Sequence, residues 1–152
     1  NGFVFDMRTE WQIARKPAIF NIKDKTLKES IITNGRDSLE SVEQIASFTG
    51  QGFRIPEDAI PILIFDNNYV NYLPDTAWVF NDKTPRFNVE GWSQGAYQKF
   101  GKGKMVVFGE AAMFTAQLAG PEKIKVGMNS DMALENHQLL LNIIHWLDGK
   151  LK

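Results

Sequence analysis

Short apolar runs separated by polar turns occupy most of this chain, and one long amphipathic stretch closes it. Pro61 to Phe65 is a continuous apolar run ended by Asp66, Asn67 and Asn68, which predicts a strand buried on both faces. Ala77 to Phe80 predicts a further short strand. Ser41 to Phe48 alternates and predicts a strand, although Val42, Ile45 and Phe48 also fit a helical turn. Ala96 to Phe100 and Met105 to Phe108 flank Gly101-Lys102-Gly103-Lys104, the pattern of a hairpin. Ala111 to Leu118 consists largely of good helix formers and stops at Gly120-Pro121, so a short helix is expected there. The block Asn1 to Ile22 mixes short apolar runs with polar residues, and Lys23-Asp24-Lys25 and Asn34-Gly35-Arg36-Asp37 read as turns.

The closing helix carries the strongest signal. Leu139, Leu140, Ile143, Ile144, Trp146 and Leu147 form a wide apolar face. Ser130 or Asp131 is expected to cap its start, and Gly149 to end it in a left-handed conformation. The expected core is one sheet containing Ile62–Phe65, Tyr97–Phe100 and Met105–Phe108, with this helix packed on it.

Composition narrows the functional classes. A length of 152 residues fits a single domain spanning 1–152. The net charge of −1 comes without any block of like charge, which argues against a nucleic-acid partner. No apolar run reaches the ~20 residues of a membrane span. The absence of cysteine removes disulfides, thiolate catalysis and cysteine-based metal sites. The chain starts at Asn1 rather than Met; with no cysteine, this favours an exported or periplasmic location for a processed chain.

Few motifs carry chemistry. Gly91-Trp92-Ser93-Gln94-Gly95 matches the G-x-S-x-G pattern of serine hydrolases, and Asp131 and His137 follow in the order of a triad. That motif needs a helix straight after the serine, whereas Ala96 to Phe100 reads as a strand, so a glycine-flanked strand is the expected meaning. Gly101-Lys102-Gly103 lacks the third glycine of a dinucleotide loop and the G-K-[ST] ending of a P-loop. His137 and His145 lie eight residues apart on one helix, too far apart to share a metal. Glu110 directly follows the Met105–Gly109 segment, at the strand end where α/β folds often carry their sites. It is either a ligand-facing carboxylate or a cap on the next turn. Gln51, Trp92, Gln94 and Gln117 are the polar or aromatic groups that could line the same mouth, giving ligand-binding candidates Glu110, Gln117, Gln51, Trp92 and Gln94.

The segment Phe100 to Glu110 (F-G-K-G-K-M-V-V-F-G-E), the ending Asn142 to Leu147 (N-I-I-H-W-L) and Phe48-Thr49-Gly50-Gln51-Gly52-Phe53 together resemble class I glutamine amidotransferase-like domains. The branch they resemble is an uncharacterised bacterial one near the trehalose-utilisation-like group, over roughly residues 18 to 150. The resemblance implies an α/β flavodoxin-like sandwich with a mixed sheet and a C-terminal helix, its leading strand–helix–strand units short or absent. Active members use a cysteine and a His-x-Glu pair. This chain has no cysteine, and Gln138-Leu139 and Trp146-Leu147 follow its two histidines. The resemblance therefore implies a non-catalytic domain, without metal or cofactor, that binds a small polar ligand or a protein segment. Two alternatives stand beside it. One is a hydrolase of sugars or similar polar substrates with Glu110 as acid or base; it needs a second carboxylate, Asp66 or Asp131, about 5–10 Å away. The other is a structural interaction module, a homo-oligomer included, that pairs through an exposed strand edge.

Overall fold

The computed structural model describes residues 2–8 and 16–151. The molecule is mixed α/β and weighted towards antiparallel sheet, with a C-terminal helix as its longest element. Strand β1 (Phe3–Asp6) pairs with β5 (Tyr69–Tyr72), which also pairs with β6 (Arg86–Asn88). Strand β2 (Ala18–Asn21) pairs with β3 (Gln44–Ser47), and β9 (Ala116–Ala119) with β10 (Ile124–Gly127). A three-stranded sheet in the order β4 (Ile60–Ile64), β7 (Ser93–Phe100), β8 (Gly103–Phe108) forms the floor of the core. Every ladder among the described residues is antiparallel.

The sheet expected from the apolar runs is present. β8 follows β7 in unbroken register, from Gly95 opposite Phe108 to Phe100 opposite Gly103. The β4–β7 pairing is interrupted by irregularities around Leu63. A side chain at position 95 would collide with the Phe108 ring, its Cβ only 2.4 Å away. Glycine there lets the ring lie across β7 and meet Phe114 edge-on, centroids 4.9 Å apart. Helix α2 (Asn136–Leu147) packs on the same sheet, with Trp146 set edge to face on Tyr97 at 4.9 Å. Beneath them Phe20, Phe65 and Tyr69 form an aromatic cluster around which Leu27, Ile32, Ile45, Ile62, Leu63 and Leu139 close.

Three expectations are corrected. Ala77–Phe80 is a turn rather than a strand, because Trp78 takes a left-handed φ of +65° that no ladder accommodates. Its aromatic rings pack sideways instead: Trp78 on Phe3, and Phe80 on Phe3, Phe5 and Tyr72. Ala111–Leu118 forms only a 3₁₀ turn, Ala112–Phe114, before becoming β9. Here tertiary pairing overrides helix propensity. β10 returns against β9, and Gly127 fits where a Cβ would lie 2.0 Å from the Thr115 carbonyl oxygen, so the chain closes back on the turn. Finally, α2 starts after Glu135, beyond Ser130 and Asp131, which belong to preceding turns closed by Ser130 N–H to Gly127 and Ala133 N–H to Ser130. Gly149 ends the helix region at φ +85°, as its sequence position suggests.

Two helices buttress this core. Helix α1 (Ile31–Asn34) is a single turn with a reciprocal cap. Ser30 accepts from the Thr33 N–H, while the Thr33 hydroxyl accepts from the Ser30 N–H. Asn142 of α2 is fully buried and donates to the carbonyls of Ile32 and Glu40, both at 2.8 Å, locking α2 to α1. Asn136 is likewise buried. Its amide accepts from Ala46 N–H at 3.0 Å and donates to the carbonyls of Ala46 at 2.8 Å and Met113 at 3.0 Å. It pairs with β3 as another strand would.

Candidate functional site

Glu110 sits where its sequence position places it, straight after β8, but it is buried and committed to backbone donors. Its carboxylate accepts from the N–H groups of Ala112, of Met113 at 2.8 Å and of Phe48 at 3.4 Å. The first two belong to the 3₁₀ turn and the third to the residue that directly follows β3. Burial pushes the carboxyl's pKa upward against these hydrogen bonds and one from the Ser47 hydroxyl. The small residues beside Glu110 leave no open space at Gly109. The loop Thr49–Gly52 fills it, since a Cβ at Gly109 would be 2.1 Å from the Gln51 carbonyl oxygen. A Cβ at Gly50 would be 2.6 Å from that of Glu110. Thr49 carries backbone strain to lie there, at φ +88°, while Gly50 takes φ +135° freely because it has no Cβ.

The other candidates divide. Gln94 is buried in the same knot; its Nε2 donates to the Thr49 carbonyl at 3.4 Å, and its Oε1 has no partner among the described residues. Gln51 contributes its backbone, N–H to the Gly109 carbonyl at 2.9 Å, while the residue is exposed. Trp92 instead stacks under the Arg54 guanidinium, 5.0 Å from its ring centre, and against Phe87. Gln117 is exposed on β9, donating to the Thr115 hydroxyl at 2.6 Å. Glu110, Gln94 and Gln51 thus meet, and Trp92 and Gln117 make separate contacts. Ser93 is buried inside β7, its N–H and carbonyl both bonded to Phe53, so it presents no hydroxyl on a turn. Asp66 bonds Arg8 and Asn68, and Asp131 pairs with Lys125 in solvent; neither shares a partner with Glu110. Among the described residues no group of three or more His, Cys, Asp or Glu side chains is placed to hold a metal ion, and no helix is long and apolar enough to cross a membrane.

A different concavity is open. A cleft of about 790 Å³ runs between the turn after β2, the far end of α1, the run into β3 and the residues before α2. Asn21, Asp24, Glu29, Asn34, Ser41, Glu43, Gln44 and Glu135 wall it. Local bonds set its shape. The Asn21 amide and Asp24 bond reciprocally at 2.8 and 2.7 Å, and Glu135 takes the N–H groups of Glu43 at 2.6 Å and Gln44 at 2.8 Å. Four of its lining residues are acidic, Asp24, Glu29, Glu43 and Glu135, against one lysine, Lys23. Sequence reasoning missed this place. Lys23 and Asp24 are legible as a turn, but nothing local announces that residues 41–44 meet Glu135.

Comparison of the chain with protein-family models, curated proteins and solved structures returned no match.

Proposed function

We propose that this domain is a non-catalytic binding module that takes a small polar, positively charged ligand in the cleft between β2, β3 and the start of α2. The observation that carries this reading is the cleft itself. Its volume, about 790 Å³, is in the range of small-molecule sites, and its wall is polar with an excess of carboxylates. An amino sugar or short polyamine matches that wall, with ammonium groups for Glu29, Glu43 and Asp24 and hydroxyl or N–H groups for Asn34, Ser41 and Gln44. The absence of cysteine and the engagement of Glu110 by three backbone N–H groups both favour binding over turnover.

Kinship with class I glutamine amidotransferase-like domains belongs to the same proposal. What supports it is the order of β7, β8, Glu110 and α2 together with the quoted residues. A flavodoxin-like sandwich is built on parallel strands, whereas the described ladders are antiparallel, so strand direction lends it no support.

Titration calorimetry with glucosamine, spermidine and neutral glucose tests the binding reading. Glucosamine or spermidine is expected to bind and glucose to bind more weakly. The double substitution Glu29→Gln/Glu43→Gln is expected to weaken the cationic probes by roughly tenfold or more. Equal affinity of the wild type and this variant for both cationic probes would remove the cleft from consideration.

A further inference from the structure

We propose that the edge of β8 that is unpaired among the described residues is a self-association surface, on which two copies of this chain pair β8 to β8, antiparallel, about a twofold axis through Val106. The Gly109 N–H bonds the Gln94 carbonyl, which fixes the alternation of the β7–β8 ladder. Met105 and Val107 therefore direct their main-chain groups towards β7, and Lys104, Val106 and Phe108 direct theirs outward. None of these three makes a backbone bond on the outer side among the described residues.

Natural edge strands are guarded by proline, by bulges or by outward lysines. β8 has no proline, and its register with β7 runs without a bulge. Its one charged side chain, Lys104, is folded away from the edge. Its ammonium bonds the Trp146 carbonyl and lies 5.1 Å from the Trp146 ring centre. What remains is Gly-Lys-Met-Val-Val-Phe, rich in strand formers and with β7 as its one strand neighbour among the described residues.

Apolar surface borders the edge in both layers. Met105 and Val107 are 47% and 42% exposed on the outer face of the sheet. In the helical layer, Asn142 turns one flank of α2 towards α1. Leu147, 43% exposed and about 140° further round the helix, stands on the opposite flank. An added strand alone would bury only the first pair. A second copy, carrying its own α2, brings matching surface to both.

Register also favours a second copy. A twofold at Val106 sets Met105 opposite Val107 and Lys104 opposite Phe108, so the two exposed apolar side chains meet and no lysine faces a lysine. A twofold at Lys104 would oppose two ammonium groups, and one at Met105 would leave Val107 facing glycine. The net charge of −1 opposes association little, and the contact is isologous, the commonest kind in homodimers.

Sedimentation equilibrium is expected to show a monomer–dimer equilibrium with Kd at or below about 100 µM, with slowed amide exchange at Lys104, Val106 and Phe108 in the dimer. Met105→Lys/Val107→Lys is expected to weaken the dimer at least roughly tenfold while keeping the wild-type circular dichroism and Tm, because both side chains are exposed. The register has its own test. Met105→Lys alone and Val107→Glu alone each weaken the dimer, and mixing them restores it as a heterodimer in which the new lysine faces the new glutamate. The proposal is overturned by a chain that stays monomeric at that concentration, by a dimer that the double substitution leaves intact, or by edge amides protected only when an unrelated extended peptide is added.

Discussion

Glu110 shows how one side chain can be both well bonded and electrostatically uncomfortable. Its two oxygens tie β3 to the 3₁₀ turn, yet burial raises its pKa above the usual glutamate value. The folded protein therefore binds this proton more tightly than the unfolded chain does. The stability linked to it is complete below pH 4.5, the unperturbed value, and is lost as pH rises through the higher folded pKa. Urea melts across that window are expected to show this decline in the wild type and its absence in Glu110→Gln. The same substitution turns an amide N–H₂ towards backbone donors and is expected to cost about 1–3 kcal/mol. An unchanged midpoint would mean that the carboxylate does not hold the loop. Gly109→Ala is expected to destabilise by roughly 2 kcal/mol or more, since the Gln51 carbonyl is backbone and must shift with its loop. A denaturant melt within about 0.5 kcal/mol of wild type would contradict that packing.

At the scale of elements, patterns that reflect burial were readable and patterns that reflect distant pairing were not. The apolar runs at Pro61–Phe65 and Met105–Phe108 and the wide face of α2 each report a core, and all three meet in one. Ala111–Leu118 carries strong helical propensity, but its fate is decided by Gly127, nine or more residues away, and by the β9–β10 ladder. Trp78 could not be seen to adopt a left-handed φ, because the ring contacts that hold it come from Phe3 in β1. Of the five candidates named from strand ends and loops, Glu110, Gln94 and Gln51 come together around the Thr49–Gly52 loop. The open cleft was not legible, because its wall joins residues 21–44 to Glu135. Two variants probe α2. Trp146→Ala is expected to lose roughly 3–5 kcal/mol by removing a buried ring from Tyr97. Asn136→Asp places a carboxylate against two carbonyl oxygens and is expected to cost about 3 kcal/mol or more in the same measurement. A loss below about 1 kcal/mol in either would mean that the helix is less deeply seated.

For the whole molecule, the early part of the chain is fastened by side chains that arrive late. Backbone N–H groups at Glu43, Gln44, Ala46 and Phe48 are answered by Glu135, Asn136 and Glu110, across sequence separations of 92, 91, 90 and 62 residues. During synthesis, a nascent chain emerging from the ribosome would hold β2 and β3 without the full set of these partners until Glu135 and α2 were free. Long-range closure of this kind slows folding and prolongs the exposure of incomplete sheets. Native β2–β3 structure should therefore form only once Glu135 and α2 have emerged. A chain stopped at Leu134 should lack protected amides at Glu43, Gln44 and Ala46 even where its β7–β8 hairpin is complete, which makes α2 a timing element for the β2–β3 sheet.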